Sequence, residues 1–296
     1  METQSLTREN ILRDIRFQCH FNRLMLLLFF LLLLQFFFMM KHVGSMFLAQ
    51  VSVFSMFVIY VLLLFKIWHR RFGNYKLKLS GSLVFSQILW VATEENFQNV
   101  RFDAQGPIPE AVIRAPGFSF AEKSHIYRPD HYAAAMWEGI PLEIQHMCMG
   151  YTGTGYNLSP DGSEASTYKT LEVQFRGMIY LCHLGRPFTP TTLHTGKPLA
   201  GEIRTGDAAF DRRFSVKTQD PRTMPLSDGM RRFLTKCVGK YRGRVYIHFA
   251  GNGDVYVAFH QKLYDGNSGR DTEAFARLDD QANLVKGLLN GLNRGF

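Results

Sequence analysis

The sequence predicts an α+β protein: an N-terminal two-helix transmembrane hairpin, then a cytoplasmic domain with a mainly antiparallel sheet and two or more packed helices. Three observations predict it. Two charge-free apolar runs lie within the first 65 residues. Basic residues gather on one side of both runs. From residue 79 onward, short alternating runs bounded by Gly, Pro and Asn outnumber stretches of helical period, with no strand–helix–strand alternation of the doubly wound kind. With 296 residues, 46% of them hydrophobic, the chain has ample material for a core and is not a disordered composition. Four cysteines exclude a disulfide framework.

Residues 1–23 read as a cytoplasmic amphipathic segment. Thr7 suits a helix cap, and Ile11, Leu12, Ile15 and Cys19 recur at helical spacing. Arg8, Arg13 and Arg16 then face water or lipid headgroups, as in an interfacial helix leading into the first span. The hairpin occupies 24–65. Its first run, Leu24 to Met40, is 17 residues interrupted only by Gln35. As a helix it spans about 25 Å, against a hydrocarbon core of ~30 Å, and Arg23 and Lys41 can snorkel to close the difference. The second run, Met46 to Phe65, spans about 30 Å. A five-residue connector, Lys41 to Ser45, forces an antiparallel pair. A signal peptide is the rival reading of the first run, but no small-residue cleavage site follows it.

Arg8, Arg13, Arg16 and Arg23 precede the first run, and Lys66, Arg70, Arg71, Lys76 and Lys78 follow the second. Only Lys41 lies between the runs, so the positive-inside rule puts both termini in the cytoplasm. Residues 66–78 form a basic juxtamembrane linker that carries +5 of the net +9, whereas 79–296 carry only +2. The basic balance is therefore a membrane-flank effect, and no nucleic-acid partner is expected. Arg13, Arg16, Arg23, Lys66, Arg70, Arg71, Lys76 and Lys78 are the expected membrane-surface contacts.

Within 79–296, residues 86–96 are open between helix and strand. Ser124–Tyr127 and Gly139–Met149 read as strands, the second with Leu142, Ile144, His146 and Cys148 on one face. Gly150–Gly162 reads as a Gly-rich hairpin loop whose Tyr151 and Tyr156 are candidate partner contacts. Ser166–Phe175, Gly177–Leu184, Thr191–His194 and Phe214–Lys217 read as further strands. Leu226–Tyr241 reads as a helix started by Ser227 or Asp228. Arg244–Phe249 and Val255–Phe259 flank Asn252-Gly253, a hairpin turn that needs positive φ. Thr272–Leu292 closes the chain as a helix with Phe275, Leu278, Ala282, Val285, Leu288, Leu289 and Leu292 on one side.

Three stretches in order carry a resemblance: Pro129-Asp130-His131-Tyr132 running to Trp137-Glu138-Gly139-Ile140-Pro141-Leu142; Phe175-Arg176-Gly177-Met178-Ile179-Tyr180; and Phe210-Asp211-Arg212-Arg213-Phe214-Ser215-Val216 with Asp220 and Pro225-Leu226 after it. Together with the paired apolar runs, the order resembles the bacterial domain-of-unknown-function family 3137, over roughly residues 65 to 265. The chain departs from that pattern in its Gly-rich stretch at 150–162 and in its C-terminal helix. The resemblance implies two spans ahead of a cytoplasmic domain and implies no catalytic residues. Phe175, Phe210 and Phe214 read as core anchors, and Gly177 as a bulge or close backbone approach.

Chemistry-bearing patterns are sparse. His146 and Cys148 share a strand face, and with Cys182 or His183 they make the best metal candidate, although no standard zinc spacing is present. No Gly-Lys-Ser/Thr follows the glycines at 150, 153 and 155, and no G-x-S-x-G occurs. Asp130-His131 are chain neighbours, which ordinarily point apart, so they make a poor acid–base dyad. The sequence thus predicts a membrane-anchored cytoplasmic interaction module that binds a protein, peptide or lipid headgroup, without a cofactor. The alternative is a membrane-proximal, metal-assisted hydrolase. The lipid bilayer is the expected partner, and the Phe-rich helices are expected to bring copies of the chain together.

Overall fold

The computed structural model describes residues 7–42, 81–103, 106–157, 166–196, 201–239, 241, 243–261 and 272–294. The chain divides into two compact units, Met1–Val91 with Tyr264–Ala274, and Ala92–Leu263 with Phe275–Phe296.

In the first unit, α1 runs unbroken from Arg8 to His42. Thr7 caps it: its hydroxyl accepts from the Asn10 amide at 3.4 Å, and its carbonyl receives the Ile11 amide at 3.1 Å. The amphipathic segment and the first apolar run are therefore one helix, with no turn between them. Its large apolar side chains stand exposed, Leu26 at 62%, Leu34 at 69% and Phe37 at 69%. Among the described residues, no helix is long and apolar enough to cross a membrane. The charge-free run of α1 falls a few residues short of the ~20 a full crossing takes. The second run, Met46–Phe65, and the linker Lys66, Arg70, Arg71, Lys76 and Lys78 lie outside the described residues. Residues left open between helix and strand belong to a helix, α2 (Gly81–Asn96).

The second unit is an α+β domain, as the sequence predicts. Its elements are β1 (Gln98–Phe102), α3 (Glu110–Arg114), α4 (Ser119–Glu122), β2 (Ile126–Trp137), β3 (Ile140–Asn157) and β4 (Ser166–His183). Then come β5 (Thr191–Thr195), α5 (Ala208–Asp211), β6 (Phe214–Thr218), α6 (Asp228–Val238), β7 (Arg244–Phe249), β8 (Asp254–His260) and α7 (Thr272–Arg294). Eight strands form one sheet in the order β1-β2-β3-β4-β8-β7-β5-β6, and every pairing is antiparallel.

Several strands outrun their sequence limits, each for a local reason. β2 and β3 meet at a two-residue turn, Glu138-Gly139, with both residues at positive φ (46° and 83°), the geometry that matches strand twist. A Glu in that position carries no turn signal, so the hairpin was not legible there. The expected loop at 150–162 is corrected in part. Gly150–Asn157 pair rung by rung with Ser166–Val173 and extend the β3–β4 ribbon. Glycine here serves close packing, since a Cβ on Gly150 would lie 2.2 Å from the Glu172 carbonyl oxygen. The expected strands on either side of Arg176 are one strand. Gly177 lets β8 approach β4, and a Cβ there would lie 1.9 Å from the Phe259 carbonyl oxygen. In the β7–β8 turn only Gly253 takes positive φ (92°), giving a three-residue loop rather than a paired Asn-Gly turn.

Both faces of the sheet are covered. On the first face, Met147, Met149, Phe175, Ile179 and Leu181 pack with Ile113 of α3 and Phe120 of α4. Phe120 stacks on Phe175 at 4.3 Å between ring centroids. Arg114 joins the two short helices, donating to Glu110 at 2.6 Å and to the Ser124 carbonyl at 2.8 Å. Gln145, fully buried, ties the preceding loop to the sheet. It accepts from the Ile108 amide at 2.6 Å and donates to the Tyr127 hydroxyl at 2.8 Å. Gln145→Leu leaves that amide buried without an acceptor, so a loss of about 1–3 kcal/mol is expected in thermal or chemical unfolding of the full chain. An unchanged unfolding midpoint would remove this account of the loop.

On the second face, α7 presents the expected apolar side, with Phe275, Leu278, Val285, Leu288 and Leu289 all buried. The Gly287 position of α7 meets the Phe233 ring of α6 so closely that no Cβ fits. Ser227 caps α6 by accepting from the Met230 amide at 3.2 Å. Phe175, Phe210 and Phe214 are core residues, each 3% exposed or less.

Candidate functional site

Strands β2, β3, β4 and β8 carry a polar cluster on each face. On the first face, where β3 begins and β4 ends, His183 sits between two carboxylates. Its Nε2 lies 3.1 Å from Glu143 Oε1, and its Nδ1 lies 2.8 Å from Asp254 Oδ1. Register explains the meeting: His183 opposes Asp254, and Glu143 opposes Leu181 one rung inward on the same face. The Tyr132 hydroxyl donates to the other oxygen of Glu143 at 3.0 Å, and Asn252 donates to Asp254 at 2.7 Å.

The hydrogen bond to Glu143 raises the His183 pKa above the ordinary imidazole value, and the one to Asp254 adds to it against partial burial. The same His183 contact holds Glu143 below the usual carboxylate range, with Tyr132 assisting. Burial pushes Tyr256 up to about 12, reinforced by Asp254 and Glu143. In its protonated form His183 donates from both ring nitrogens to fixed acceptors. An imidazolium held in that way has no lone pair for a metal or for a proton in flight. The cluster is an electrostatic clamp across three strands rather than an acid–base pair.

The second face holds Asp130, His131 and His146. A β-bulge between Pro129 and His131 inserts Asp130 as an extra residue. The chain neighbours Asp130 and His131 therefore converge instead of pointing apart, which corrects the sequence expectation. Asp130 Oδ1 lies 3.5 Å from His131 Nε2, and Oδ2 lies 3.3 Å from His146 Nδ1. The His146 contact is the main cause of a lowered Asp130 pKa, whereas burial lowers that of His131. Cys148 stands two residues beyond His146 on the same face, opposite Arg128 and Arg176.

Cys182 does not join this group. It opposes Leu142, four residues along β3 from His146, about 13 Å away at strand rise, and it is fully buried. Burial raises its thiol pKa far above the ordinary value. His183, on the opposite face, is committed to the clamp. Among the described residues, no three His, Cys, Asp or Glu side chains are grouped so as to hold a metal ion.

Of the remaining sequence candidates, Arg13, Arg16 and Arg23 are exposed on α1, with Arg13 donating to Asn10 at 2.9 Å. Tyr151 lies half-buried within β3 rather than in a loop, opposite Glu172. Tyr156 pairs with Thr167 in the same ribbon, and its side chain lies outside the described set. The clamp was not legible in the sequence, because Glu143 and Asp254 stand 40 and 71 residues from His183. Only the adjacency of turn residues Asn252 and Asp254 to a strand end hinted at one of its arms. No protein-family model, no curated protein and no solved structure matches the chain.

Proposed function

We propose that this chain is a membrane-anchored interaction module of a bacterial inner membrane, with both termini and the α+β domain on the cytoplasmic side. The observation that carries the reading is α1. Among its described side chains, Leu24, Leu26, Leu27, Phe29, Phe30, Leu34 and Phe37 stand exposed along a charge-free stretch interrupted only by Gln35. A polypeptide in water does not leave such a surface uncovered; a lipid phase or an apolar partner covers it. The flanking Arg23 and the basic residues around it fit the headgroup level. Pairing of α1 with the run Met46–Phe65 completes the two-span hairpin of this proposal and brings the +5 linker to the same leaflet. Membership of family 3137, drawn from the three motifs, belongs to the same proposal and carries the same architecture.

The polar clusters favour binding over catalysis. His183 is locked by two acceptors, and Asp130 is shared by two imidazoles. Anchoring confines the domain to two dimensions and raises its effective concentration toward any partner at that surface. Alkaline carbonate extraction of membranes containing the full chain tests the anchor. The chain is expected in the pellet, and recovery in the supernatant would overturn the proposal.

A further inference from the structure

The second face of the sheet carries two arginines that the clamp and the core do not use. Arg128 of β2 and Arg176 of β4 both stand directly opposite Cys148 of β3, so the three share one rung and one face. Arg128 is exposed and Arg176 half-buried. Among the described residues, neither guanidinium has a hydrogen-bond or ion-pair partner. The nearest acid along β2, Asp130, is already engaged by His131 and His146 at 3.5 and 3.3 Å. Asp103 also acts on His131.

Two unpaired guanidiniums on strands that flank one strand stand about 10 Å apart at their backbones, and their side chains can converge on one tetrahedral anion. The next rung outward on this face has no side chain at Gly150 and an exposed apolar one at Val173, 39% accessible. A soluble anion gains nothing from that apolar neighbour. A lipid surface does, because phosphate and glycerol backbone meet a basic group and an apolar one at adjacent depths. We propose that the Arg128–Arg176 rung binds the phosphate group of an anionic lipid headgroup and docks this part of the sheet on the bilayer. The proposal rests on the membrane-anchored reading above.

The test uses the full chain in vesicles of phosphatidylcholine with phosphatidylglycerol, the latter including a probe with a photo-crosslinker at its headgroup. Flotation before irradiation shows whether the chain is in the bilayer; failure there overturns the anchored reading and this proposal with it. With the chain incorporated, crosslinked lipid is expected on peptides containing Arg128 and Arg176. Yield should fall about five-fold for each of Arg128→Gln and Arg176→Gln, and further with added salt. Asp130→Asn should raise it, and the Arg→Lys pair should restore most of it, which separates lost charge from lost folding. Unchanged yield in the double glutamine variant overturns the proposal. So does loss of the crosslink in excess inorganic phosphate, which assigns the rung to a soluble phosphate.

Discussion

Gly177→Ala is expected to cost the domain about 3 kcal/mol or more. Its Cβ would lie 1.9 Å from the Phe259 carbonyl oxygen of the neighbouring strand and 3.1 Å from the amide nitrogen of Gln261, the residue that follows that strand, both backbone atoms. No rotamer relieves a clash with backbone, so β8 must move away from β4. Among the described residues, that pairing, Gly177–His183 against Asp254–His260, is the only one joining β1–β4 to β8, β7, β5 and β6. Opening it therefore exposes core from both halves of the sheet, which places the change among the few mechanisms with large effects. Gly251→Ala is the control: the nearest foreign atom to its Cβ is 3.8 Å away, so an effect within about 0.5 kcal/mol is expected. Unfolding midpoints of the two full-length variants read the difference. Equal midpoints would show that the close approach at Gly177 does not hold the sheet together.

The second large effect is a pH-dependent one at His183. Its pKa is raised in the folded state, so its contribution is fully present below the unfolded value of 6.5 and is lost as pH rises through the folded value. Glu143 is lowered, so its contribution is present above the unfolded value of 4.5 and is lost as pH falls through the folded value. Both operate together between pH 4.5 and 6.5. His183→Ala should therefore destabilise by about 1–2 kcal/mol in that window, a value discounted for the partial exposure of the ring. The loss should shrink at alkaline pH, where the wild-type ring is neutral. The comparison must be made between variant and parent at each pH. His248, pushed down to about 4 by burial, makes the parent itself lose stability as pH falls below 6.5. A variant penalty that is the same at pH 5.5 and pH 9 would contradict the clamp.

What the sequence disclosed and what it withheld divide along physical lines. Local signals were legible. Ser227 before the run Met230, Leu234 and Val238 marked α6, and the 3.6 period of Phe275 to Leu292 marked α7. Gly177 was readable as a close approach because a glycine inside an apolar strand has few other uses. Signals that depend on register were not. The bulge at Asp130 has no Gly to announce it, and it alone reverses the relation between Asp130 and His131. Gly150, Gly153 and Gly155 look like a loop, yet Gly150 and Gly153 sit where the Glu172 backbone and side chain leave no room for a Cβ. The Arg128–Arg176 rung and the His183 clamp exist only once three or four strands are aligned, and nothing in the separate segments encodes that alignment.

The central claim is that α1 anchors the chain in a bilayer. Alkaline carbonate extraction of bacterial membranes containing the full chain, followed by flotation of the pellet on a density gradient, tests it most directly. The account predicts that the chain floats with lipid after extraction, because its apolar surface between Leu24 and Phe37 is held by the hydrocarbon rather than by charge. Release into the supernatant as a dispersed protein would contradict it, and would assign that exposed surface to a protein partner instead.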